Sequence, residues 1–93
     1  MNRLLIKSTA FVRTAKRVLK KNPNLAVDIQ TTLELLSEDA FHPSLKTHKL
    51  KGNFEGSWAC SVAYDLRIIF EFVQHDEDEA ILLEAIGSHD EVY

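Results

Sequence analysis

HKLKGNFEGSWACSVAYDLRIIF, residues 48–70, is the stretch that decides the fold. Upstream of it the apolar residues recur at helical spacing. From Leu45 onward they recur every second residue, the period of a strand with one buried face. Gly52 and Gly56 bracket a turn. Beyond it Trp58, Cys60, Val62 and Tyr64 share one face, opposite Ala59, Ser61 and Ala63. Tyr64–Leu66 turns the chain, and Ile68, Phe70 and Phe72 then alternate with Arg67, Ile69 and Glu71. The segment Leu45–Lys51 is short and rich in lysine, which suits an outer strand because lysines oppose edge-to-edge pairing.

Outward from this stretch the remaining elements fall into place. Residues 3–7, RLLIK, read as a first strand, and Ser8 as the N-cap of a helix. In that helix Phe11, Val12, Ala15, Val18 and Leu19 form one stripe, with Arg13, Lys16, Arg17, Lys20 and Lys21 around the rest. Asn22 and Pro23 punctuate the chain, Asn22 as a cap and Pro23 at the first position of a second helix. Leu25, Ile29, Leu33 and Leu36 give that helix a buried stripe, and the short connection predicts an antiparallel pair. Glu38-Asp39 and His42-Pro43 end it. Downstream, HDEDE (75–79) reads as a solvated hairpin loop, and AILLEAI (80–86) as a central strand covered on both faces. The expected order is β-α-α-β-β-β-β: an α+β domain spanning residues 1–93, its mainly antiparallel sheet carrying a helical hairpin on one face.

Composition narrows the class of function. At 93 residues, 45% hydrophobic and 27% charged, the chain has the make-up of one small globular domain. Cys60 is the one cysteine, so no internal disulfide is available. MNRLLIKSTAF lacks the long apolar core of a signal peptide and no stretch is apolar enough to span a membrane, so the cytoplasm is expected. The net charge of −3 hides a division: residues 1–51 carry ten Lys/Arg and four Asp/Glu, residues 52–93 one and ten. A basic front half permits a local anion-binding patch while the acidic remainder opposes sequence-blind nucleic-acid affinity.

The chemistry-bearing residues form few patterns. No metal-ligand spacing, Gly-rich dinucleotide fingerprint or phosphate loop is present, so no metal and no cofactor is expected. Cys60 shares a face with Trp58 and Val62 and reads as packing; His75 and His42 read as loop residues. His48 is framed by Lys46, Lys49 and Lys51, a base beside phosphate-neutralising cations. His89 follows Gly87 at the end of a buried strand, where a side chain is well held for proton transfer. Asp65 and Arg67 flank a turn and read most simply as an ion pair fixing the hairpin. RNA cleavage through the 2′-hydroxyl needs a base, an acid and a cation for phosphate charge, a set these residues can supply.

HKLKG, GSW, DLRIIF and IGSHDEVY, in that order, resemble the RelE/ParE superfamily of type II toxin–antitoxin toxins over nearly the whole chain, most closely its RelE/YafQ mRNA interferase branch. The resemblance implies a ribosome-dependent endoribonuclease that cuts translated mRNA, held inactive in a hetero-oligomer with a cognate antitoxin and needing no membrane. On it His48, Asp65, His89 and Tyr93 fall at catalytic positions, and Lys49 and Lys51 at phosphate-binding ones, with Lys46 and Arg67 adding charge. Ser61 and Ala63 depart from the pattern, standing where relatives carry a histidine or an arginine. A gyrase-binding, ParE-like toxin without nuclease activity, or a degenerate toxin that only binds its antitoxin, are the alternatives.

Overall fold

The computed structural model describes residues 2–92, apart from the side chains of Asn53 and Glu91. A five-stranded sheet runs through it: β1 (Leu4–Lys7), β2 (His48–Lys49), β3 (Trp58–Ala63), β4 (Leu66–His75) and β5 (Asp78–Gly87). Their spatial order is β1-β5-β4-β3-β2. β1 pairs β5 in parallel, and the other neighbours are antiparallel. Helices α1 (Thr9–Lys21) and α2 (Leu25–Glu38) pack on one face, and a four-residue helix, α3 (His89–Val92), lies on the other. The expected β-α-α-β-β-β-β order is observed, with the unforeseen α3 added after the last strand.

The core follows from the two periods. Leu36, Cys60, Ile68, Phe70, Ile81, Leu83 and Ile86 are fully buried between sheet and helices, joined by Phe11, Ile29 and Leu45. Each large apolar side chain there contributes roughly 1.5–3 kcal/mol by leaving water. On the other face Ala59, Ile69 and Val92 form a second cluster with Leu50 and Ala85, so α3 covers only the middle of that face. Among the described residues Ser61, Arg67, Glu71 and Val73 on that face keep partial exposure.

Several local expectations shift. Val12 is 37% exposed rather than part of the buried stripe. Asn22 is the C-cap of α1, its N–H returning to the Val18 carbonyl, and Pro23 lies in the turn, two residues before α2 begins. The second helix therefore starts without a side-chain cap, held by Leu25 and Ala26 N–H groups donating to the Asn22 and Pro23 carbonyls. The lysine-rich outer strand contracts to His48–Lys49, because Pro43–Leu45 forms a 3-10 turn capped by His42. The acidic loop contracts too: β4 runs to His75 and β5 starts at Asp78, leaving a two-residue turn with Asp76 at φ 55°.

Two bulges break the ladder, one beside β3 between Ser61 and Ala63, the other where Ile69 and Phe70 of β4 face Ala85 and Leu83 of β5. The second leaves Glu84 as the extra residue. Beyond Lys7 strand β1 no longer covers β5, and α1 takes over its edge. Ser8 donates its N–H to Leu83 O (3.1 Å) and its hydroxyl to Glu84 O (3.3 Å), while capping α1 by accepting the Phe11 N–H. Thr14 Oγ1 accepts the Ile86 N–H at 3.1 Å. Backbone groups that an uncovered edge leaves unpaired are thus satisfied by side chains of the helix.

Candidate active site

The α3 side of the sheet can be read from register, since residues directly opposite one another in a pair point the same way. His48 faces Ala59, and Ser61 faces Arg67. Ala59 belongs to the α3-side cluster, so His48, Ser61 and Arg67 all stand on that face. At the end where β3 turns into β4, Ser44, Lys46, Ser61, Val62, Ala63, Tyr64, Asp65, Arg67 and His89 border a hollow of about 780 Å³. Among the described residues of the expected site, this brings Lys46, Asp65, Arg67 and His89 together.

Each is held by its local structure. Lys46 closes the 3-10 turn with φ 52°, a left-handed conformation that ends the turn and aims its side chain at the hollow. Asp65 also has positive φ, 57°, at the tight β3–β4 turn, where aspartate is tolerated better than most side chains. Its Oδ1 accepts the backbone N–H of His89 at 3.2 Å. That bond fastens the first residue of α3 to a turn 24 positions earlier, and places a carboxylate at the N-terminal end of the helix, where such charge is favoured.

The expected Asp65–Arg67 ion pair does not form among the described contacts. Arg67 instead turns its Nη1 back to the carbonyls of Ala63 (3.4 Å) and Leu66 (3.3 Å). The bulge beside Ser61 and Ala63 is the reason: it breaks the alternation and presents the Ala63 carbonyl to the guanidinium. Arg67 is half-buried there, a fixed cation at the wall of the hollow.

His48 stands on the edge strand, three strand spacings from β5, roughly 14 Å. Its Nδ1 lies 2.9 Å from the Lys46 carbonyl, which can only accept, so Nδ1 carries the proton. In the neutral ring Nε2 is then the basic nitrogen. The bond ties His48 to Lys46 at the hollow's rim and puts both histidines on one side of the sheet.

Lys49 and Lys51 belong elsewhere. Lys49 faces Trp58 on the helix side of the sheet, its ammonium 5.5 Å from the indole ring centre. With Lys51, Gly52, Glu55, Gly56 and Ser57 it borders a separate hollow of about 580 Å³ at the sheet's edge. Tyr93 lies outside the described residues. Ser44 escaped the sequence reading: it joins the site because His42 caps its turn, Nδ1 accepting the Ser44 N–H at 3.1 Å. His42 beside Pro43 was the available signal.

Cys60 takes no part. It is buried, and loss of water pushes its thiol pKa up to about 12, against small opposing contributions from the Ile68 backbone and Arg67. The thiol stays protonated and unreactive. Among the described residues no three His, Cys, Asp or Glu side chains cluster as metal ligands would.

An α+β sheet with two helices on one face is a fold shared with small bacterial toxins. YafQ of E. coli superposes with a TM-score of 0.78 at 19% identity over 98% of both chains. A copper-bound L66S mutant toxin from Helicobacter pylori gives 0.74 at 22% identity over the full length of both. The YoeB/ParE toxin from Agrobacterium tumefaciens gives 0.75 at 13% identity, covering 92% of this chain and 98% of that one. No curated protein sequence matches. Residues 4–93 match the family described as bacterial toxin of type II toxin-antitoxin system, YafQ, and the chain belongs to that family.

Proposed function

We propose that this toxin is an endoribonuclease that cuts mRNA during translation and is restrained by an antitoxin. The observation that carries the reading is the convergence of Lys46, Asp65, Arg67 and His89 on one hollow, with His48 tied to its rim. One imidazole removes the proton of a ribose 2′-hydroxyl, and the freed oxygen attacks the adjacent phosphorus. The bond to the 5′-oxygen breaks, and that oxygen takes a proton from the other imidazole. The products are a 2′,3′-cyclic phosphate and a free 5′-hydroxyl. Arg67 and Lys46 offset the charge that builds on the phosphate oxygens, and Asp65 positions His89 through its backbone. Tyr93 stacks on a base or assists proton transfer, and Lys49 and Lys51 meet phosphates further along the strand.

The partner reading is supported by the E. coli DinJ–YafQ toxin–antitoxin complex, whose YafQ superposes with a TM-score of 0.76 over 100% of this chain at 20% identity. Induced expression should arrest growth, with messages cut inside the reading frame only while translated. His89→Ala and His48→Ala should each slow cleavage of one defined message by about 10²-fold or more. If both cut at the parental rate, the assignment fails. If plasmid supercoiling changes while messages stay whole, a gyrase-directed toxin replaces it.

A further inference from the structure

The molecule's positive charge is concentrated on α1 and the residues leading into it. Residues 1–21 contain seven Lys/Arg and no Asp/Glu, whereas residues 22–93 contain four Lys/Arg and fourteen Asp/Glu. Arg13, Lys16, Arg17, Lys20 and Lys21 follow the three-and-four spacing that sets side chains on one side of a helix, and all are exposed. Phe11, Ala15, Val18 and Leu19 occupy the other side, in the core. Ser8 and Thr14 fasten the helix along the β5 backbone, so the cations ride on a rigid element. At its start Lys7, Ser8, Thr9, Val12, Arg13 and Lys16 border a shallow hollow of about 470 Å³. None of these residues lines the cleft, which is built at the β3–β4 turn.

The geometry points to a second anion-binding surface on the outer side of α1, one that takes the phosphate backbone of double-helical RNA while the cleft takes a single strand. Backbone recognition needs cations at regular spacing and no apolar partner. A protein partner would need an apolar centre to its interface, and the outward side of α1 offers Val12 alone. A lipid surface would need the helix's apolar side, which the core already holds. The acidic remainder of the chain adds orientation: a polyanion is repelled from most of the surface, so α1 meets it first. The choice of RNA over DNA rests on the nuclease reading of the cleft; the surface itself does not.

The test is fluorescence anisotropy of a labelled RNA hairpin without single-stranded tails, titrated over a salt series with the full chain carrying His89→Ala to prevent cutting. Adding Arg13→Gln, Lys16→Gln and Lys20→Gln should weaken binding about tenfold or more at low salt and flatten the log–log salt slope by roughly 2–3. Arg13→Lys, Lys16→Arg and Lys20→Arg in their place should restore both. Arg3→Gln, a cation paired with Glu79 outside both the cleft and the outer side of α1, should leave hairpin affinity within a small factor, and circular dichroism should show every variant folded. Equal binding and slope in the triple Gln variant would overturn the proposal, as would an equal loss of hairpin affinity in Arg3→Gln. If the triple variant keeps the hairpin but loses an acidic antitoxin, the surface belongs to a protein and the proposal is also overturned. No outcome depends on cutting, so failure of the nuclease reading is seen separately.

Discussion

Two places on the α3 side of the sheet are built alike and carry opposite charge. At the β3–β4 turn a bulge beside Ser61 and Ala63 folds Arg67 against backbone carbonyls, next to Lys46 and His89. Midway along β4 and β5 the β5 bulge adds Glu84, whose carboxyl accepts the Ser57 hydroxyl at 2.8 Å and meets the carboxyl of Glu71. Between them lies the small apolar cluster under α3. In both places an extra residue breaks the alternation of the strand and brings polar side chains together. The extra residue is Val62 at the first and Glu84 at the second, so the charge comes from Arg67 beside the one bulge and from the bulged residue itself at the other. A polyanion approaching this face would meet cations at one place and a carboxyl pair at the other, which gives the face a direction.

The largest expected contrast between the two places is catalytic. Arg67→Ala should lower the cleavage rate by about 10²–10³-fold, the usual cost of removing one charge-stabilising donor. Glu71→Gln with Glu84→Gln should leave the rate within a small factor. Equal losses at both places, measured on one message, would dissolve the distinction.

A smaller effect is expected at the Asp65 anchor. Asp65→Ala removes the acceptor for the His89 N–H and should cost about 0.5–2 kcal/mol, in the range of a lost helix cap. Hydrogen exchange at the His89 amide should accelerate while amides of β4 keep their protection. Unchanged exchange at His89 would show that the tail is held by other contacts.

The smallest effect is a pH-dependent one at the carboxyl pair. Burial first, and the neighbouring Glu71 after it, raise the Glu84 pKa above the ordinary carboxylate range, with the Ser57 hydroxyl opposing. The folded chain therefore holds this proton more tightly than the unfolded one. Its stabilising contribution is complete below the unfolded pKa of about 4.3 and is lost as pH rises through the folded value. Glu84→Gln should raise the melting temperature by about 1–4 °C near pH 8, a small shift because water screens a half-exposed carboxyl. Near pH 4 it should change little. A gain of the same size at both pH values would place its origin outside the carboxyl's charge.

How much of this was legible differs from residue to residue. The helical stripe Leu25, Ile29, Leu33, Leu36 and the alternation through Trp58, Cys60 and Val62 placed the core, because burial of a periodic face is a local property of the chain. His48, Asp65 and His89 stood out as chemistry at element ends. The partners of Asp65 and Arg67 did not. Two charges two residues apart suggest each other, yet the bulge gave Arg67 to carbonyls and left Asp65 for a backbone N–H far along the chain. The Glu71–Glu84 pair was also hidden, since the alternation of β4 gives Glu71 a face but no partner on another strand. A lone carboxyl inside AILLEAI was its only local trace.

From its sequence alone this chain determines the order of strands and helices, which face of each is apolar, and the crowding of cations into its first 21 residues. These follow from side-chain periodicity and charge, which need no knowledge of distant neighbours. Tertiary structure alone decided where the alternation breaks and which side chains those breaks bring together. A bulge is set by how two strands share their hydrogen bonds and by what covers the edge, here Ser8 and Thr14 of α1 on β5, and such pairing is a property of the folded sheet.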